Sequence, residues 1–139
     1  MLAKQKAFTL VELMIVIAII GVISMFAYPS YTRYVERSKR TEAMGVLTNA
    51  VQAIEKYRAN NYTYKVAGDD ITLIFSNRVP VDVGKDKYYD IALVSTANSY
   101  TFTATPTGSM AGDGNLTINN TGARTWGAKS CWPEGTNDC

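Results

Sequence analysis

The sequence predicts an α+β chain: a long N-terminal α-helix, its first half able to span a membrane, packed by its second half on a small antiparallel β-sheet head that ends in a C-terminal disulfide loop. Three observations carry that expectation. Apolar residues run from Phe8 to Tyr28, interrupted only by Thr9, Glu12, Gly21 and Ser24. Val46, Leu47, Ala50, Val51, Ile54 and Tyr57 then recur at helical spacing and define one apolar face. Farther on, short stretches alternate apolar and polar residues between turn formers, the pattern of half-buried strands.

At 139 residues the chain fits one domain. It reads as a leader over 1–7, an apolar helix over 8–28, and a head over 29–139 built of helix 29–59, sheet 87–127 and a cysteine loop 131–139. As a helix, Phe8–Tyr28 measures about 30 Å, which matches the hydrocarbon thickness of a bilayer. A cleaved signal peptide is the simpler reading. However, the run is longer than a usual h-region and passes into Ala27-Tyr28-Pro29-Ser30-Tyr31 with no small-x-small site. A plain membrane anchor is the other reading, and neither accounts for Glu12. A carboxylate inside a membrane span is costly and normally marks a partner. Thr9-Leu10-Val11-Glu12 also fits a capping box, in which the Thr9 hydroxyl and Glu12 carboxylate satisfy the first helical N–H groups.

Beyond Pro29 the helix is expected to continue to about Ala59. Pro29 has no N–H to give, so it should kink the helix and free a carbonyl near Met25. Asn60-Asn61 ends the helix, and Asn61 to Gly84 reads as a loop region with one short apolar piece, Ile71–Phe75. Strands are expected at Lys87–Ser95, Ser99–Thr105 and Asn115–Asn119, with a weaker one at Arg124–Gly127. Thr96-Ala97-Asn98 and Asn119-Asn120-Thr121-Gly122 supply hairpin-type connections. One apolar sheet face results, which the Val46–Tyr57 helix face can cover.

The side-chain inventory argues against catalysis. The chain has no histidine, which removes the commonest general base and the usual ligand of catalytic zinc. Net charge is +2, but residues 61–139 carry six basic and eight acidic side chains, which gives no general field for nucleic acid. Asp69-Asp70 and Asp113-Gly114-Asn115 offer oxygen ligands, yet no twelve-residue calcium loop is present and turn chemistry explains both clusters. No cofactor or metal site is expected. The two cysteines, Cys131 and Cys139, bracket a short loop with the turn formers Pro133, Gly135 and Asn137. A disulfide there would stabilise by roughly 2–3 kcal/mol in the chain-entropy model; two free thiols, or a metal pair lacking its other ligands, are the alternatives.

The run Lys4-Gln5-Lys6-Ala7-Phe8-Thr9-Leu10-Val11-Glu12-Leu13, continued through the apolar helix to Tyr31, resembles the N-terminal signal of type IV pilins and the related pseudopilins. The resemblance implies a prepilin that prepilin peptidase cuts between Ala7 and Phe8, after which the Phe8 amine is N-methylated. That family nearly always has Gly where Ala7 stands; Ala is the smallest alternative, so processing is expected to survive. Glu12 then acts in assembly, paired with the Phe8 amine of a neighbouring subunit. Pro29 marks where the helix can melt as the subunit enters the fibre. The implied partners are other pilin subunits, the peptidase, an inner-membrane assembly machinery, and membrane lipid before assembly. The implied location is the inner membrane and then an extracellular pilus serving adhesion, twitching motility or DNA uptake. One observation opposes this orientation. Lys4 and Lys6 precede the apolar run, whereas Arg33, Arg37, Lys39 and Arg40 follow it, and charge alone would keep the head in the cytoplasm.

Tyr88–Leu93, Tyr100–Pro106 and Leu116–Gly122, ending in Cys131-Trp132, are similar to PilE-like minor pilins, a group that includes the ComP-type DNA-uptake receptors. Such proteins commonly have a cysteine where this chain has Asp113. The similarity makes DNA a candidate partner, with Lys85, Lys87, Arg124 and Lys129 as candidate contacts and Trp126 or Trp132 stacking on bases. Against it, Asp82, Asp86, Asp90 and Asp113 share the same segments, and a mixed solvated surface explains the cations equally well. A type II secretion pseudopilin is the third reading.

Overall fold

The computed structural model describes residues 8–133. The leader 1–7, with Ala7, and the segment 134–139, with Cys139, lie outside the described residues, and so do the expected cleavage bond and the Cys131–Cys139 pairing. Contacts divide the chain into two units, with the boundary between Val35 and Glu36, so the second unit begins beyond the expected start of the head at Pro29.

Helix α1 spans Leu10–Asn61. It starts on the expected box: the Thr9 N–H and hydroxyl both donate to the Glu12 carboxylate at 2.9 Å, and the Glu12 N–H donates to Thr9 Oγ1 at 3.2 Å. The helix runs on through Pro29. The Pro29 carbonyl accepts from Thr32 Oγ1 and Arg33 Nε, both at 3.1 Å. At the far end the Asn61 side-chain amide donates to the Tyr57 carbonyl at 2.8 Å. Tyr62 then turns the chain with φ 58°.

Tyr62 is unusual in that position. Left-handed backbone is the natural place for Gly or Asn after a helix, and Tyr pays a steric cost there without burying its ring, which is 93% exposed. Tyr62→Gly is therefore expected to stabilise the head by about 0.5–1 kcal/mol. Thermal unfolding followed by circular dichroism should show a midpoint a few degrees higher; an unchanged or lower midpoint would mean the ring makes contacts of real value.

In the unit that begins at Glu36, α1 buries Arg40, Ala43, Val46, Leu47, Ala50 and Ile54. Five strands follow: β1 (Arg78–Val79), β2 (Tyr89–Ser95), β3 (Tyr100–Pro106), β4 (Leu116–Asn119) and β5 (Arg124–Trp126). They form one antiparallel sheet in the order β1-β2-β3-β4-β5. The register aligns Leu93 with Phe102 and Phe102 with Ile118. Alternate residues of β2, β3 and β4 are buried, so each strand contributes to one apolar face. Tyr89, Phe102 and Leu116 are fully buried with Leu47 and Ile54 of α1. At roughly 1.5–3 kcal/mol for each large side chain removed from water, this contact holds the helix on the sheet.

The turns follow from side-chain chemistry. Between β2 and β3, Thr96 Oγ1 accepts from the N–H groups of Asn98 and Ser99. Between β4 and β5, Asn119 Oδ1 accepts from the N–H groups of Thr121 and Ala123, both at 3.0 Å. The region from 61 to 84 is more ordered than expected of a loop. Ile71 is buried in a one-turn 3-10 helix, Ile71–Leu73, and Ile74 and Phe75 pack against the core. β1 is the element the sequence did not announce: two residues carry no periodicity, and β1 exists through its pairing with Tyr89 and Asp90.

Candidate functional site

Two places were expected to carry function: the apolar half of α1 and the basic residues of the head. The first is fully formed. The segment is long and apolar enough to cross a membrane, and none of its residues is buried within the chain. Phe8, Leu10, Val11, Leu13, Met14, Ile15 and the apolar residues after them through Phe26 all present their side chains outward. Nothing in a helix of this kind favours one face, as expected where the solvent is hydrocarbon or a ring of like helices. Glu12 caps its own helix.

The four candidate DNA contacts do not converge. Lys85 and Lys87 lie in the connection before β2, whereas Arg124 lies on β5 and Lys129 just after it. β3 and β4 stand between β2 and β5, so the two pairs belong to different sides of the sheet. The expectation that one edge gathers all four is thus corrected by the strand order. Lys87 pairs with Asp90 at 2.7 Å, and Asp82 and Asp86 flank it in sequence. Residues 114–133, which include Arg124 and Lys129, contain no acidic side chain.

The tryptophans are already engaged. Arg124 sits over the Trp132 ring at 4.8 Å, and Lys129 over the Trp126 ring at 5.0 Å. Trp132 is buried and its Nε1–H donates to the Thr117 carbonyl at 3.0 Å. Both rings pack the head, which opposes a base-stacking role for them.

The sequence reading missed a buried polar network around Asp113. The Asp113 carboxylate accepts both from the Arg40 guanidinium, in a fork, and from the Tyr89 hydroxyl at 2.6 Å. The Arg40 and Asp113 side chains are only 5% and 10% exposed. The other face of the Arg40 guanidinium lies over the Trp126 ring at 4.1 Å, and Trp126 Nε1–H donates to the Asp113 carbonyl at 2.7 Å. Gly114 makes this closure possible: its φ is +99°, and a Cβ there would meet Trp126 Nε1 at 3.2 Å. Burial pushes the Asp113 carboxyl up, but the hydrogen bonds from Arg40 and Tyr89 and the guanidinium charge outweigh it and hold the group below its ordinary value. Burial, then the bond to Asp113, raises the Tyr89 hydroxyl far above the usual phenol range. A signal was available in the sequence, since Arg40 falls on the same helical face as Ala43, Leu47 and Ala50.

Several other carboxylates have structural duties. Asp69 accepts from the Ser95 hydroxyl at 2.6 Å and from Lys65 at 3.0 Å. Asp70 accepts from the Thr72 N–H and hydroxyl. Glu42 accepts from the Tyr88 hydroxyl, and Glu55 from Tyr64 and Tyr100.

A bare apolar helix leading into a helix-on-antiparallel-sheet head defines the class of the type IV pilins. The more specific family follows from a model described as type IV minor pilin ComP, DNA uptake sequence receptor, which matches residues 29–117. The chain belongs to that family. Residues 2–28 match the prokaryotic N-terminal methylation motif. Fimbrial protein EcpC of Eikenella corrodens is 49% identical over 53 residues, 38% of this chain and 35% of that one. Type IV major fimbrial protein FimA of Dichelobacter nodosus is 50% identical over 46 residues, 33% of this chain and 29% of that one. The match thus spans about a third of these curated relatives. The crystal structure of the Neisseria meningitidis non-core minor pilin PilV superimposes with a TM-score of 0.54 at 19% identity, over 72% of this chain and 95% of that one. That likeness speaks to the fold.

Proposed function

We propose that this chain is a structural subunit of a type IV pilus, made as a membrane-inserted prepilin and assembled with other pilin subunits into a surface fibre. The carrying observation is the apolar half of α1, exposed on every side within the chain. An apolar surface of that size does not stand in water. Lipid covers it in the precursor, and the helices of neighbouring subunits cover it in the fibre. The methylation motif over residues 2–28 supports cleavage between Ala7 and Phe8 by prepilin peptidase, N-methylation of Phe8, and handling by an inner-membrane assembly machinery. Intact mass and N-terminal sequence of protein from sheared surface filaments test the reading together. The expected species starts at methylated Phe8 and is short by two hydrogens for a Cys131–Cys139 disulfide. A species that starts at Met1 and stays in the membrane fraction would reduce the chain to an anchored head.

A second reading, a pilus-displayed DNA-uptake receptor, is favoured by the family match over residues 29–117. Arg124 and Lys129 are then candidate contacts on the β5 side of the sheet, and Lys85 and Lys87, the latter paired with Asp90, on the β2 side. Full-length protein in detergent should bind duplex DNA with a steep salt dependence. Replacing Arg124 and Lys129 by Gln should lower the slope of log K against log salt by about 2, roughly one per lost phosphate contact. The Lys85, Lys87 double variant should lower it less. Binding that neither pair affects would remove this reading and leave the fibre role standing.

A further inference from the structure

The turn of α1 that leaves the membrane carries three exposed tyrosines and an arginine that neither the fibre role nor the DNA reading uses. We infer that Tyr28, Tyr31, Arg33 and Tyr34 form a headgroup collar that takes anionic phospholipid and fixes the depth of the precursor in the bilayer. The inference rests on the membrane-inserted reading and adds a specific lipid partner to it.

Length sets the position. From Leu10, about 30 Å of hydrocarbon is crossed in some 20 residues at 1.5 Å each, which ends the apolar layer near Tyr28–Ser30. Tyr31 and Tyr34 then lie within about 10 Å beyond it, in the headgroup region, where amphipathic rings are most stable. The three rings are 73%, 67% and 69% exposed, so no intramolecular contact explains them. The Arg33 guanidinium reaches back toward the apolar end of the helix, its Nε donating to the Pro29 carbonyl at 3.1 Å. That orientation holds the cation at the level of the lipid phosphates rather than in bulk water. A planar fork of donors beside phosphate is a favoured pairing.

Charge bookkeeping supports the same conclusion. Of the four cations that oppose export by the positive-inside rule, Arg37, Lys39 and Arg40 fall in the unit that begins at Glu36, where Asp113 engages Arg40 and Ser109 engages Lys39 at 2.7 Å. Arg33 remains on the membrane side of the Val35–Glu36 boundary. Its pairing with an anionic headgroup makes a basic residue on that side an anchor.

The test uses the full-length chain in vesicles of phosphatidylethanolamine and phosphatidylglycerol. Two photoactivatable lipids are incorporated in parallel, one labelled in the phosphatidylglycerol headgroup and one at the acyl terminus, and adducts are mapped by mass spectrometry. Headgroup adducts are expected on residues 28–34, competed by excess phosphatidylglycerol but not phosphatidylcholine, and reduced at least fivefold in Arg33→Gln. Acyl adducts are expected on residues 10–27 in both proteins. Acyl labelling without selective headgroup labelling would overturn the collar while the membrane reading stands. Loss of both would overturn the two together. Headgroup labelling that phosphatidylcholine competes equally, or that Arg33→Gln leaves unchanged, would also sink the inference. So would protection of the turn only in assembled filaments, which would assign it to a neighbouring subunit.

Discussion

Asp113→Ala is expected to cost the head about 3–5 kcal/mol, enough to unfold a marginally stable domain. The loss does not measure the worth of one attraction. Removing the carboxylate leaves the Arg40 guanidinium 5% exposed with its fork partner gone, and it strips the acceptor from the Tyr89 hydroxyl. A buried cation that loses its fork acceptor is poorly compensated, and the packing of Arg40 against the Trp126 ring weakens with it. The double variant Arg40→Met with Asp113→Leu separates the two contributions. Apolar replacement of a whole buried pair is often neutral, so the double variant should recover most of what the single one loses. Urea unfolding of the detergent-solubilised chain, followed by tryptophan fluorescence, reads both. A single variant within 1 kcal/mol of the parent would show that Arg40 finds another partner.

The same pair sets a pH dependence. Asp113 titrates below its ordinary value in the folded head. A depressed folded pKa contributes stability that is fully present above the unfolded value, near 4. That stability is lost as pH falls through the folded value. The head should therefore hold its midpoint from neutral pH down to about 5 and weaken steeply in stronger acid. Asp113→Asn should flatten part of that acid limb, since Asp69 and Asp70 are also held below their ordinary values by hydrogen bonds from Ser95 and Thr72.

How much of this was readable beforehand depended on whether a residue's role is local or relational. The capping box, the β2–β3 and β4–β5 turns and the apolar face of α1 are local. Thr9 and Glu12 are three residues apart, Asn119 bonds within its own turn, and Val46 to Ile54 repeat at 3.6. All of these were legible, and the strands were placed to within about two residues. The Asp113 network joins residues 40, 89, 113 and 126, and no spacing rule connects them. Asp113 read as a turn residue and as a substituted cysteine. In the fold its carboxylate ties the segment before β4 to the helix without a covalent bond. β1 failed for the same reason, because its two residues are a strand only by virtue of Tyr89 and Asp90. The expected convergence of the four cations on one edge failed differently: charge was legible, but strand order decides which charges share an edge.

Glu12→Gln is expected to abolish surface filaments, although the structure shows the carboxylate occupied with its own helix start. Glutamine keeps most of the capping box, since its amide oxygen can still accept from the Thr9 N–H. What it removes is the charge. In a fibre core of packed apolar helices an unpaired carboxylate costs several kcal/mol, and a neighbouring amine offsets most of that. A register in which Glu12 meets the Phe8 amine of the next subunit is then favoured over every slipped register, whereas apolar packing alone discriminates poorly among them. Thr9→Ala provides the contrast: it should weaken the helix start by about 1 kcal/mol and leave the charge in place, so filaments should persist. The measurement is the amount of subunit in sheared filaments against the amount of precursor in the membrane fraction. Filaments with Glu12→Gln at parental levels would make Glu12 a cap and nothing more. Filaments lost with Thr9→Ala but kept with Glu12→Gln would transfer the assembly role from the charge to the geometry of the first helical turn.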